Sequence, residues 1–184
     1  MALVFGDRVA GLTVAGKELQ AGVFDEHAVR AAAGVTLVLG ATAFSFAQFD
    51  AQFLLLQVVS SLFFVEFLVR ITAGIRYSPA GALAHWMTRT QEPEWVSAKP
   101  KLFAWRLGLG IAFAMTVITN SGIRGWLPKS LCLVCMTLMW METALGLCLG
   151  CKIHALLVRR GWAAKDPEFE VCAHGECEIP ARAA

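Results

Sequence analysis

The sequence predicts an all-α, polytopic membrane protein with four transmembrane helices and a short interfacial helix in the loop between the second and third. Three observations predict it. Of 184 residues, 57% are apolar and only 16% charged, against roughly 25% charged in an average globular domain, and mean hydropathy is +0.60. The apolar residues gather in four runs, each close to the roughly 20 residues that a helix needs to cross a bilayer core of about 30 Å. The runs are continuous rather than alternating, which selects helices over barrel strands as the way to pair every backbone group inside lipid. A soluble domain this small would have too few polar groups to cover its surface. A net charge of +2 provides no basic face for nucleic acid. A soluble enzyme, a disordered chain and a nucleic-acid binder are excluded together, and the lipid bilayer is the expected solvent.

Residues 1–24 form a lead-in. Met1–Phe5 lacks the basic start of a cleaved signal peptide, and Asp7 interrupts its apolar character. Residues 6–24 are glycine-rich and mixed in polarity, consistent with a short ordered segment, and Asp25 is placed to cap the first helix. The membrane domain spans residues 25–160. Its first apolar run, Ala31–Phe49, carries no charge; the second, Ala51–Val69, carries Glu66 alone. In the loop that follows, Ser78 is a good cap and Pro79 a good first-turn residue. Ala80, Leu83, Trp86 and Met87 then share one helical face, the pattern of a helix lying in the interface. Pro93 and Pro100 lead the chain back to the third run, Leu107–Ile123, which is free of charge and extends back through Arg106 to Phe103. The fourth run, Ser130–Cys151, carries Glu142. Residues 161–184 form a cysteine-containing tail.

Fourteen of the sixteen Lys and Arg residues fall before the first run, between the second and third, or after the fourth; only Arg124 and Lys129 lie on the other side. The positive-inside rule therefore places both termini and the long loop in the cytoplasm.

The six cysteines form three pairs, Cys132/Cys135, Cys148/Cys151 and Cys172/Cys177. The first two have C-x-x-C spacing on the fourth run, so each pair shares a helical face. Such a pair can form a disulfide where geometry allows or bind a soft metal ion. Cysteine also serves membrane helices as a small apolar filler. Corresponding cysteines of the two pairs are sixteen residues apart, about 24 Å of straight helix, which prevents direct exchange within one chain. On a continuous helix Cys132, Cys135, Met139, Glu142 and Gly146 form one stripe bordered by Met136. Cys148 and Cys151 then point away from it by roughly 100–180°, unless the helix breaks at Gly146 or Gly150. The stripe outlines a path for a soft cation such as Cu(I) or Hg(II). Methionines at this spacing also simply fill cores.

Of the two acids inside the membrane, Glu66 has Arg70 one turn away and Arg106 within reach as ion-pair partners. Glu142 is deeper, has no evident partner in the sequence and is the candidate for proton handling. The tail pair Cys172/Cys177 flanks His174, which is placed to lower a thiol pKa or to complete a metal site. The dozen residues from Gly161 to Cys172 extend to roughly 36 Å, enough for the tail thiols to reach Cys151. No phosphate-binding loop, H-E-x-x-H or nucleophile elbow is present, and the C-x-x-C pairs lack the βαβ context of thioredoxin.

Arg76-Tyr-Ser-Pro79, Phe103-Ala-Trp-Arg106, Asn120-Ser121, Cys132-Leu-Val-Cys135, Glu142 and Gly146-Leu-Cys-Leu-Gly-Cys151 together resemble a family of small bacterial integral-membrane proteins known only as a domain of unknown function. The resemblance covers roughly residues 24–178, and its most specific part is the Gly-x-Cys-x-Gly-Cys element. It implies a four-helix fold in the cytoplasmic (inner) membrane with thiols at the end of the last helix. It also implies thioredoxin-like or sulfurtransferase partners, and it brings no established activity.

Three functions follow. The first is a membrane thiol protein that exchanges electrons or sulfane sulfur with a soluble thioredoxin-like or rhodanese-like partner. Cys148 and Cys151 are its reactive pair, Cys172 and Cys177 the shuttle, and Cys132 and Cys135 serve the outer face; no cofactor is needed. The second is a Cu(I) or Hg(II) transporter or relay that uses Cys132, Cys135, Met139 and Glu142. The third is a structural subunit of a membrane complex, for which no cysteine is required. Four helices enclose little volume, so a homodimer fits any of the three.

Overall fold

Asp25 opens the first helix as expected, its Oδ1 accepting a hydrogen bond from the His27 amide at 3.1 Å. The computed structural model describes residues 13–14, 17–18 and 22–163. In it this helix, α1, runs over Glu26–Phe49 and is followed by α2 (Leu54–Thr72), α3 (Pro79–Thr88), α4 (Ala98–Asn120), α5 (Trp126–Leu145) and α6 (Leu149–Arg159). With 24, 19 and 23 residues, α1, α2 and α4 are about 36, 28 and 34 Å long. These three are long and apolar enough to cross a membrane, and a fourth crossing is added when α5 and α6 are taken as one broken span. Their outward faces expose Val38, Phe46, Val58, Val65, Phe113 and Val117. A surface of that kind suits hydrocarbon and would aggregate in water.

The helices pack α1 against α2, α3 and α5, and α4 against α2 and α6. Small residues permit the close approaches: Gly108 of α4 faces the Phe67 ring of α2, where an added Cβ would come within 2.8 Å of ring carbon. At the far end of that pair, Gln57 Nε2 donates to the Thr119 carbonyl at 2.7 Å, and the Ser60 and Thr119 hydroxyls are 3.0 Å apart. Two apolar clusters result. One gathers Phe24, Val29, Phe67, Ile75, Ala84 and Trp105, and the other gathers Ala43, Leu56, Val59, Met115 and Cys132.

Ser78 caps α3 with Pro79 at its first position, as the sequence predicts, and Ser78 Oγ accepts from the Gly81 amide at 3.2 Å. The face differs from expectation. Ala80, Gly81, Ala84 and Thr88 are buried, whereas Leu83, Trp86 and Met87 are exposed. Small side chains let α3 lie close along α1, so Ala80 belongs with the packing face and the larger apolar residues face outward. Gly81 is the tightest point. A Cβ there would land on the Ile75 carbonyl oxygen and 2.6 Å from Ser78 Oγ. Gly81→Ala is therefore expected to cost about 1–3 kcal/mol or more, seen as a lower unfolding temperature in detergent. An unchanged melting curve would show that the Ile75–Ser78 turn gives way.

No strand is expected from the all-α pattern of the sequence. The chain nevertheless forms two short antiparallel pairs, β1 (Thr13–Val14) with β2 (Lys17–Glu18) and β3 (Val23–Asp25) with β4 (Trp95–Ser97). The second pair matters for the site. Val23 lies opposite Ser97 and Asp25 opposite Trp95, and flanking bonds run from the Ala98 amide to the Gly22 carbonyl (3.0 Å) and from the Glu26 amide to the Glu94 carbonyl (2.8 Å). This clasp holds the first turns of α1 and α4 side by side.

Candidate functional site

Because the clasp fixes both helix starts, Glu26 at the head of α1 and Lys101 in the opening turn of α4 meet in the interior. Lys101 is 1% exposed. Its Nζ lies 2.8 Å from Glu26 Oε2, donates to Glu26 Oε1 at 3.1 Å, and donates to Glu142 Oε1 of α5 at 2.9 Å. One buried ammonium thus bridges two carboxylates from different helices. This corrects two expectations. Lys101 is not a cytoplasmic loop cation, and Glu142 is not without a partner. The partner lies 41 residues away, beyond the reach of any local pattern.

The fourth apolar segment is likewise not one helix. α5 ends at Leu145, and α6 leaves it at 88°. The cause is Gly146, which adopts the left-handed conformation (φ 64°) that glycine takes without steric cost. Its amide bonds the Glu142 carbonyl at 3.1 Å, and the Leu147 amide bonds the Met141 carbonyl at 3.0 Å, closing α5 with an αL cap. Arg30 of α1 reinforces the end: its Nη2 donates to the Thr143 carbonyl at 3.1 Å, satisfying one of the carbonyls a helix terminus leaves open.

The glycines and cysteines of the Gly146–Cys151 element then each have a physical place. Gly146 makes the turn. Cys148 is the N-cap of α6, its sulfur accepting from the Cys151 amide at 3.4 Å. Gly150 allows α6 to seat on α4, where a Cβ would be 2.5 Å from Ala104 Cβ and 2.7 Å from Ala104 Cα. Cys151 is fully buried, and its backbone amide ties it to the Cys148 sulfur. Both thiols lie within electrostatic range of Lys101. The bend at Gly146 is one of the two breaks that release Cys148 and Cys151 from pointing away from the Cys132–Glu142 stripe, and Cys148 lines the same cavity as Met139 and Glu142.

That cavity, of about 280 Å³, is lined by α4, α5 and α6 together with Val29 and Ala33 of α1 and Phe67 and Arg70 of α2. A second one, of about 70 Å³, lies deeper among α1, α2, α4 and α5; Cys132, Cys135, Met115, Met136 and Met139 bring five sulfur atoms to its wall. Met139 belongs to both cavities, with Phe67, Gly108, Ile111 and Leu138 as their other shared walls. The two described cysteine pairs remain far apart. Met115, which packs beside Cys132, is fourteen residues along α4 from Lys101, about 21 Å. All four described cysteines are free thiols.

The family described as a domain of unknown function (DUF4395) matches residues 24–159. The chain belongs to this family. No curated protein and no solved structure matches it. The family's region contains the Lys101 bridge, the whole Gly146–Cys151 element and all of the clasp except Gly22 and Val23. Cys172, His174 and Cys177 lie beyond it and also outside the described residues, as does most of the lead-in before residue 22.

Glu66 takes the first of its two expected partners. Arg70 Nε donates to Glu66 Oε1 at 2.7 Å, both side chains are buried, and Glu66 Oε2 accepts from the Ala80 amide at 3.1 Å. Arg106 is exposed and takes no part. Glu26, Lys101 and Arg70 are the site residues that sequence reasoning missed. Lys101 sits where the Lys and Arg count assigns it to the long loop, and Glu26 lies ahead of the first apolar run. Arg70 did register as a partner for Glu66, but not as part of the cavity wall it also forms.

Proposed function

We propose that the protein is a four-span integral-membrane thiol protein with both termini in the cytoplasm. In this reading α5 supplies the fourth crossing, while α3 and α6 lie along the cytoplasmic interface. Cys148 and Cys151 exchange electrons or sulfane sulfur with a soluble thioredoxin-like or rhodanese-like partner, and the tail cysteines Cys172 and Cys177 carry the exchange outward. One observation carries the reading: the C-x-x-C pair straddles the N-terminus of α6, with the Cys148 sulfur at the N-cap and on the cavity wall and Cys151 behind it. A helix N-terminus presents partial positive charge to the sulfur on which negative charge develops during thiol exchange. Both thiols are buried, Cys148 at 3% and Cys151 at 0% exposure, and Cys148 is the one that lines the cavity, which assigns the roles. A partner thiolate attacks Cys148 of the disulfide and Cys151 leaves; in the reverse direction the Cys148 thiolate attacks the partner's disulfide and Cys151 resolves the mixed species.

Thiol trapping in intact membranes tests this. Cys148 is expected to alkylate at least ten times faster than Cys151; mild oxidant should protect both, and reductant should restore them. If both stay unreactive and redox-invariant, the proposal fails. A persulfide on Cys148 after exposure to a sulfane-sulfur donor would select sulfur transfer over electron transfer.

The sulfur-lined inner cavity favours a second reading, a path for Cu(I) or Hg(II) through Cys132, Cys135 and Met139 to Glu142. Among the described residues no three His, Cys, Asp or Glu side chains converge as a metal site, so thioethers would have to complete the coordination. Stoichiometric metal lost on Cys132→Ser supports this path. Metal-free protein with a titratable Cys148–Cys151 disulfide removes it.

A further inference from the structure

Arg70 spends only part of its hydrogen-bonding capacity on Glu66. The residue is 2% exposed and lines the 280 Å³ cavity, yet its Nη2 has no hydrogen-bond partner. Buried guanidinium donors are seldom left this way, and such a group marks a missing acceptor. We propose that this cavity binds a lipid-soluble quinone, and that Cys148 and Cys151 reduce it; the proposal rests on the thiol reading above and names its membrane-side substrate.

Three features of the cavity select this class of ligand. The first is its wall, which is hydrocarbon from Trp105, Ile111, Leu138 and Met139 apart from Arg70, Glu142 and Cys148. An apolar site with a few convergent polar groups is the usual form of a small-molecule site. The second is its mouth. Leu107, Leu149 and Ile153 line the cavity and are themselves exposed, so a ligand enters from lipid rather than from water. The third is charge. Arg70 is already paired with Glu66 at 2.7 Å, and the other charged side chain on the cavity wall, Glu142, is a carboxylate. A free anion at Arg70 Nη2 would meet these carboxylates in a low-dielectric setting, where repulsion is poorly screened. A neutral carbonyl accepts from Arg70 Nη2 without this penalty, and the ring then lies in the cavity whose wall Cys148 helps to form.

The chemistry balances. The Cys148 and Cys151 thiols give up two electrons and two protons and form one S–S bond. The quinone takes up both electrons and both protons, and its carbonyl oxygens become the hydroxyls of a quinol. The Lys101–Glu142 pair lies beside both the thiols and the cavity, so it is placed to pass the protons. The soluble dithiol partner then reduces the disulfide and completes the cycle.

The test uses the full chain, reduced, freed of excess reductant and held in lipid nanodiscs without oxygen. Decylubiquinone is the probe, since its fully substituted ring resists irreversible thiol addition. Quinol is read by absorbance and the Cys148–Cys151 disulfide by mass mapping. Wild type is expected to form both together, and Cys148→Ser neither. Arg70→Lys keeps a cation beside Glu66 but removes the guanidinium donor, and should slow quinol formation at least tenfold. Ile153→Trp narrows the mouth without touching an ion pair and should slow it comparably. Diamide, a small water-soluble thiol oxidant, should oxidise Cys148 and Cys151 within twofold of the wild-type rate in both variants. Disulfide formation by diamide with no quinol from the wild type overturns the quinone site and leaves the thiol reading standing. Wild-type quinone rates in both variants overturn it equally. A Cys148–Cys151 pair that neither oxidant converts overturns both.

Discussion

Lys101→Met should destabilise the protein by about 3–5 kcal/mol, the cost of breaking a buried ion pair by removing one partner. The reason is geometric. Lys101 Nζ is within 3.1 Å of both the Glu26 and Glu142 carboxylates, and its own side chain is 2% exposed. Without the ammonium, two carboxylates from α1 and α5 face each other in a region that water barely reaches, and the helices that carry them separate or the acids take up protons. Thermal unfolding in detergent measures the loss. The decisive comparison is the triple variant Lys101→Met/Glu26→Gln/Glu142→Gln, which removes the uncompensated charge while keeping shape. Most of the stability should return, because replacing a whole buried ionic group is often close to neutral. Should the triple variant be as unstable as Lys101→Met alone, lost packing of the lysine stem is the cause, and the bridge carries no electrostatic weight.

This bridge also shows where a sequence stops being legible. The membrane class, the starts of α1 and α3, and the Glu66–Arg70 pair were all readable because each is local. Apolar run length, a Ser-Pro or Asp cap and an i,i+4 charge pair require nothing from the rest of the chain. The place of Lys101 against Glu26 is not legible, for the opposite reason. A Lys within a few residues of Lys99 and Arg106 counts as one more loop cation until something fixes the start of α4 against α1. What fixes it is the β3–β4 clasp, whose three-residue strands are too short to show a period-two pattern. The break after α5 was half legible. Gly146 and Gly150 mark the two places where the sequence permits the helix to stop, but a glycine in an apolar run fits a packing contact as well as a turn. The choice depends on Arg30, which holds the Thr143 carbonyl from 113 residues away, and on Cys148 taking the cap of the next helix. Cys132, Cys135 and Met139 line one cavity, and Glu142 lines the neighbouring one that Met139 shares. Cys148 joins the second because the chain turns at Gly146, one of the two breaks the sequence allows.

Gly150→Val should abolish thiol exchange at Cys148 while leaving the Lys101 bridge intact. At this position α6 touches the α4 backbone, and even a methyl group would be 2.7 Å from Ala104 Cα, a neighbour that cannot rotate away. Valine adds two more carbons, so α6 must lift from α4, at a cost of about 3 kcal/mol or more for overpacking. The lift acts on the chemistry through one residue pair. The Cys148 sulfur is held by the Cys151 amide at 3.4 Å, and Cys151 is buried against α4 only while α6 stays seated. Lys101 is anchored independently by Glu26 and Glu142, on α1 and α5. The expected result is therefore split: Cys148 and Cys151 alkylate at similar rates, their disulfide no longer forms under mild oxidant, and unfolding remains cooperative. Gly150→Ala should show the same pattern at smaller amplitude. If Gly150→Val keeps at least a tenfold difference between the two thiols, the seating of α6 on α4 does not set their reactivity, and the helix N-terminus acts alone.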